Sequence, residues 1–120
     1  MSNKPISYQR QHTIPSNLQQ CFDYLDILLS NEDKLFIEQS SEDEFIGRTH
    51  HALGQKIRNE WGLWASNSIL YKYFRDMGLK HPDDMSGVIL TSYYRHKHNI
   101  AIDLKKQVEE YLKYWTNEKD

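Results

Sequence analysis

The chain is poor in the residues that announce a chemistry. It has one cysteine, Cys21, in 120 residues, so it can form neither an internal disulfide nor a thiolate zinc site. The place of Cys21 among Leu18, Phe22 and Leu25 predicts a small buried hydrophobe. Neither charge sign dominates, because 15 Lys+Arg stand against 17 Asp+Glu for a net charge of -2. Nucleic-acid-binding domains draw affinity from phosphate neutralisation, and the clear basic surplus expected of them is missing. No apolar run nears the roughly 18 residues that a membrane span requires. Residues 1–11 are polar, without the apolar core of a signal peptide. The expected setting is soluble, reducing and cytoplasmic, with no membrane contact. There is no phosphate-binding glycine loop, no G-x-S-x-G elbow and no cysteine set among a nucleophile's partners. The sequence therefore predicts no catalytic residue, no cofactor and no metal.

Aromatics are what the chain does have. Mean hydropathy is -0.80 and only 38% of residues are apolar, yet eight Tyr, four Phe and three Trp are present. Large rings bury much area from few positions. A chain of 14.4 kDa suffices for one domain with one modest core.

The periodicity is helical throughout. Residues 1–15, with Pro5 and Pro15, show none and read as a flexible N-terminal arm. Ser16 and Gln19 have capping-box spacing ahead of a helix over 17–29 that carries Leu18, Cys21, Phe22, Leu25, Leu28 and Leu29. Ser30 opens a short helix over 31–39. Ser41 with Glu44 is a second capping box, and the helix after it reads as continuous from 42 to 64. Ile46, Leu53, Ile57, Trp61 and Trp64 fall there within an arc of about 80°. Gly47 and Gly54 inside that helix cost about 1 kcal/mol each relative to Ala, which predicts close approach by another backbone or ring. A helix near 67–77 ends at Gly78, where a left-handed cap is expected. Pro82 suits the first position of a helix over 82–97, with Asp83 and Asp84 in its first turn. His98-Asn99 breaks it, Asp103 caps a last helix over 104–116, and 117–120 is a frayed tail. The expected fold is all-α, a single-domain bundle over 16–116 of about five main helices plus a short one.

The central string Leu53-Gly54-Gln55-Lys56-Ile57-Arg58-Asn59-Glu60-Trp61-Gly62-Leu63-Trp64, followed by Leu70, Phe74, Gly78 and His81-Pro82-Asp83-Asp84-Met85-Ser86, resembles an uncharacterised bacterial family, one of the domains of unknown function. The resemblance covers about residues 50–115, and the "IRNEWGLW" and "HPDDMS" segments are its most specific parts. The family often has an Asn-Gly turn after the fifth helix, which is altered here to His98-Asn99-Ile100. The resemblance implies a small bacterial protein and brings no activity, cofactor or site residue with it.

Three clusters are chemically suggestive. His81, Asp83 and Asp84 combine an imidazole with carboxylates, the groups of acid–base or metal chemistry. The plainer reading is a helix start, since neighbouring helical residues point about 100° apart. The histidines never form a His-x-x-x-His pair with a nearby Glu. Arg58, Asn59, Trp61 and Trp64 include the residue types that dominate binding hot spots. The plainer expectation sinks both Trp rings in the core and pairs Arg58 with an acid. The run Tyr93-Tyr94-Arg95-His96-Lys97-His98 is basic and aromatic. With Tyr93 and His96 inward, it would present Tyr94, Arg95, Lys97 and His98 to single-stranded nucleic acid or, equally, to a protein.

The function expected from these residues is non-enzymatic binding of another protein, in the manner of an immunity-type or regulatory factor that neutralises a partner. One alternative is a small-ligand or enzymatic pocket between the 42–64 and 82–97 helices, lined by Arg58, Asn59, His81, Asp83 and Asp84. A further alternative, disfavoured by the net charge, is nucleic-acid binding through residues 94–97.

Overall fold

A helix with apolar residues on every side is stable only when it is surrounded, and residues 82–97 are such a helix. The computed structural model describes residues 14–119. Among them are seven helices and no strand: α1 (Leu18–Leu28), α2 (Asn31–Gln39), α3 (Glu42–Thr49), α4 (Ala52–Glu60), α5 (Ile69–Met77), α6 (Pro82–Lys97) and α7 (Leu104–Lys119). In α6 every residue from Asp84 to Leu90 is buried, and so are Ser92, Tyr93 and Tyr94. Each of the other six helices packs against α6. The all-α single domain is therefore arranged radially, with one late helix as its axis. Leu18, Phe22 and Leu25 of α1, Ile57 of α4, and Leu70 and Phe74 of α5 join Val88, Ile89 and Tyr93 in one apolar cluster. Cys21 is buried there, and burial pushes its thiol well above the ordinary range.

Most caps follow the sequence. Ser30 and Ser41 each form a full capping box, with Asp33 and Glu44. Ser68 caps α5, Gly78 closes it at φ 113°, and Asp103 Oδ1 accepts from the Lys106 amide. Asn99, at φ 56°, turns the chain after α6. The cap of α1 is Asn17 rather than Ser16, whose amide donates to Gln20 Oε1. The helix α7 continues to Lys119, past the expected end at 116. Of the arm assigned to 1–15, residues 1–13 lie outside the described residues, and Pro15 is buried.

The expected helix over 42–64 is corrected in three places. It is interrupted at His50–His51, which separate α3 from α4 although both keep helical dihedrals; just before them Thr49 Oγ1 donates back to the Phe45 carbonyl at 2.7 Å. The second half ends at Glu60, and Gly62 then takes φ 73°. Trp64 consequently leaves the apolar arc and is 62% exposed, while Trp61 stays buried. A side chain at Gly47 would meet nothing within 4 Å, so the expected close approach is absent there. At Gly54 the close neighbour is neither another backbone nor a ring but the Arg58 guanidinium, one turn on in the same helix; Gly87, where no approach was expected, lies under the Tyr111 hydroxyl.

Candidate functional site

The segments around Arg58 and around His81–Ser86 meet at the start of α6. Arg58 lies on the inner side of α4 and is only 8% exposed; Gly54, one turn earlier, makes room for its guanidinium. Its Nη1 donates to Ser86 Oγ at 2.9 Å, and its Nε sits 3.2 Å from Asp83 Oδ1. Ser86 Oγ in turn donates to the Asp83 carbonyl at 3.1 Å. The guanidinium thus clamps the first turn of α6 to α4.

Asp84 points the other way, as a 100° step per residue demands. Trp115 Nε1 of α7 donates to its Oδ2 at 2.8 Å, and the His81 ring stacks on Trp115 with centroids 3.9 Å apart. Burial raises the Asp84 carboxyl above the usual range, outweighing the Trp115 hydrogen bond and the His81 charge that lower it. A raised carboxyl pKa means the charged form costs stability in the fold. That cost is fully present above the folded pKa and is relieved as pH falls through it. Asp84→Asn keeps an oxygen for Trp115 while removing the buried charge. Its melting temperature at pH 7 is expected to match or exceed that of the wild type. A drop of more than a few degrees in a calorimetric scan would show that the carboxylate's charge is required.

His81, Asp83, Asp84 and Arg58 therefore gather at one helix start but divide between two packings, toward α4 and toward α7. Asn59 belongs to neither. None of these five residues lines the cleft beside Ile37 and His98 or the cleft beside Phe36 and Arg48. Among the described residues, no three or more His, Cys, Asp or Glu side chains converge to hold a metal ion.

Residues 14–97 match the family described as Domain of unknown function (DUF6794). The chain belongs to that family. No curated protein and no solved structure matches it. The DUF6794 match spans α1 to α6 and ends with the last residue of the central helix. The Arg58–Asp83–Ser86 clamp lies inside it, whereas Trp115 and Tyr111 come from the segment beyond.

The basic and aromatic run at the end of α6 is corrected by its packing. Tyr94 was expected outside, yet it is 5% exposed, with its hydroxyl donating to the Ser40 carbonyl at 2.5 Å and His98 stacked on its ring. An axial helix buries both faces, so Tyr93 and Tyr94 are covered alike. Arg95 makes a two-pronged contact with Glu42, at 2.7 and 3.1 Å. Lys97 pairs with Asp26, which also accepts from the Tyr93 hydroxyl. Burial raises the Asp26 carboxyl, but the hydrogen bonds from Lys97 and Tyr93 outweigh it and hold the group below the ordinary range. His96, expected inside, is exposed, with its ring stacked on Phe22. No exposed tyrosine remains in this run to stack a base.

Like Ile69 and Tyr114, Trp64 is presented outward. Its indole N–H donates to Asn59 Oδ1 at 2.9 Å, and the loop that carries it is set by Gly62 and by the Leu63 amide bonding back to the Arg58 carbonyl. Asn59 thus finds its role beside Trp64, while Trp61, three residues before Trp64, is core. The sequence carried a signal for this split: Gly62 between the two tryptophans interrupts the wheel that had placed them together.

Proposed function

We propose that this chain is a non-enzymatic cytoplasmic factor that binds another protein and neutralises or regulates it, as immunity-type proteins do, with Trp64 as an anchor. The observation that carries this reading is a large ring held out in solvent by a fixed hydrogen bond. Trp is the residue type most enriched in binding hot spots, and pre-positioning it reduces the ordering cost of association. The other polar groups that suggested chemistry already have partners within the fold: Arg58 with Asp83 and Ser86, Asp84 with Trp115, and Arg95 with Glu42. No helix of the described residues is long and apolar enough to cross a membrane.

The test is paired affinity capture from the native host with tagged wild type and Trp64→Ala. The expected result is one stoichiometric partner, retained at least about tenfold less well by the variant, as for a hot-spot truncation. The variant should melt with the wild type, because its lost ring is mostly solvated. Equal recovery on both baits, or no partner on either, would overturn the reading.

A further inference from the structure

A cleft of about 350 Å³ lies where the end of α1 meets α2, α3 and α4. Leu29 and Phe45, both buried, and Phe36 and Leu53, half-buried, make its apolar lining, and Leu28 stands beside them 39% exposed. An engineered cavity of roughly 150 Å³ houses one benzene-sized group, so this cleft accepts about two large apolar side chains.

Its charged lining is uneven. Arg48 lies over the Phe36 ring, 4.4 Å from the centroid, and has no carboxylate partner among the described residues. Lys56 makes only an exposed pair with Glu60, one helical turn on. Asp33, the one acidic lining residue, is taken up at the α2 cap, where it accepts from the Ser30 amide. On a chain of net charge -2, the unclaimed charge at this cleft is positive.

Beyond the cleft, α4 presents an exposed face. At 100° per residue, Ala52, Lys56 and Asn59 share an arc of about 60°, and all three are exposed. That face runs from the cleft to the residue that holds Trp64. The nine residues of α4 extend about 13 Å, the reach of roughly two and a half turns of a second helix.

We propose that the cleft receives an acid-bearing amphipathic helix of a partner protein, laid along α4, with two apolar side chains in the cleft and a carboxylate on Arg48. This rests on the protein-binding reading above and names the chemistry of the partner. Helix-in-groove recognition has this form, with apolar anchors at i, i+3 or i+4, and i+7. Charge argues against the chain's own N-terminal residues as the occupant. Residues 1–13 carry Lys4 and Arg10 and no acid, so a cationic lining repels them.

The experiment is selection of a displayed library of random 16-residue helical peptides on the full wild-type chain. The selected peptides are then titrated against wild type, Arg48→Glu and Trp64→Ala. The expected peptides carry paired apolar residues at helical spacing with Asp or Glu beside them. Arg48→Glu should weaken them by about three- to tenfold, the range of a rim ion pair lost and reversed. Exchanging the peptide's acid for Lys should restore binding to Arg48→Glu. Arg48 is exposed, and an unchanged thermal melt of the variant confirms an intact fold. Selected peptides that are basic, or that lose affinity with Trp64→Ala but not with Arg48→Glu, overturn this inference and leave the protein-binding reading standing. Peptides indifferent to both variants, or no enrichment at all, overturn both. Self-association of the free chain in light scattering, abolished by Arg48→Glu, overturns the inference in favour of a second copy as occupant.

Discussion

Arg58→Ala is expected to destabilise the domain by about 3 kcal/mol, the sum of a charged hydrogen bond and a buried aliphatic stem. For a chain of this length that is a fall of roughly 12 °C in melting temperature. The guanidinium is nearly enclosed, whereas the Asp83 side chain remains 62% exposed, so the two ends of the pair are not equivalent. Asp83→Asn removes a screened charge and is expected to cost less than about 1 kcal/mol, because the bond to Ser86 survives. Arg58→Lys should recover under half of the loss, since one ammonium cannot serve Ser86 Oγ and Asp83 Oδ1 in the fork geometry of a guanidinium. Urea unfolding of the three variants checks the order. Equal losses for Arg58→Ala and Asp83→Asn would show that the ion pair, and not the buried packing, holds α4 to α6.

Gly87→Leu is expected to cost about as much, near 3 kcal/mol, by overpacking. A side chain at 87 runs into the Tyr111 hydroxyl, with the ring carbon behind it 3.3 Å away. Gly87→Ala should cost less, because alanine gains up to about 1 kcal/mol of helix propensity and the end of the Tyr111 ring can shift. Adding Tyr111→Phe removes the nearest atom and should return part of the Gly87→Ala loss in a double-mutant cycle. A Gly87→Leu protein that melts with the wild type would mean that α7 is not seated on α6 by this contact.

The parts of the fold that were legible in the sequence are those fixed by local hydrogen bonding. Ser30, Ser41, Gly78 and Pro82 declare helix ends because their chemistry involves only residues within a turn. Side-chain facing was legible only in part in α5: of the apolar arc Ile69, Leu70, Tyr73, Phe74 and Met77, Leu70 and Phe74 are buried, whereas Ile69 is 64% exposed. It failed in α6, because a helical wheel divides residues into inside and outside while the axial helix has almost no outside. Tyr94 was lost to that assumption. Trp64 was lost to a second one, that the helix runs on through Gly62. Of the candidate site, Asn59 and Trp64 were both singled out in the sequence, but not their contact, which depends on a loop turn. The cleft beside Arg48 was invisible because its lining comes from four helices brought together by tertiary packing.

The axial helix is also the sixth to be made. Ribosomes add roughly 5–20 residues per second, so the sixteen residues of α6 take about one to three seconds to follow α5. Until they emerge, the apolar stripes of α1, α4 and α5 lack the surface they close on. The nascent chain is therefore expected to carry its apolar stripes uncovered until α6 follows. Chains interrupted before residue 97 lack part of the helix on which each of the other six packs, and are expected to be cleaved faster by protease than the full chain.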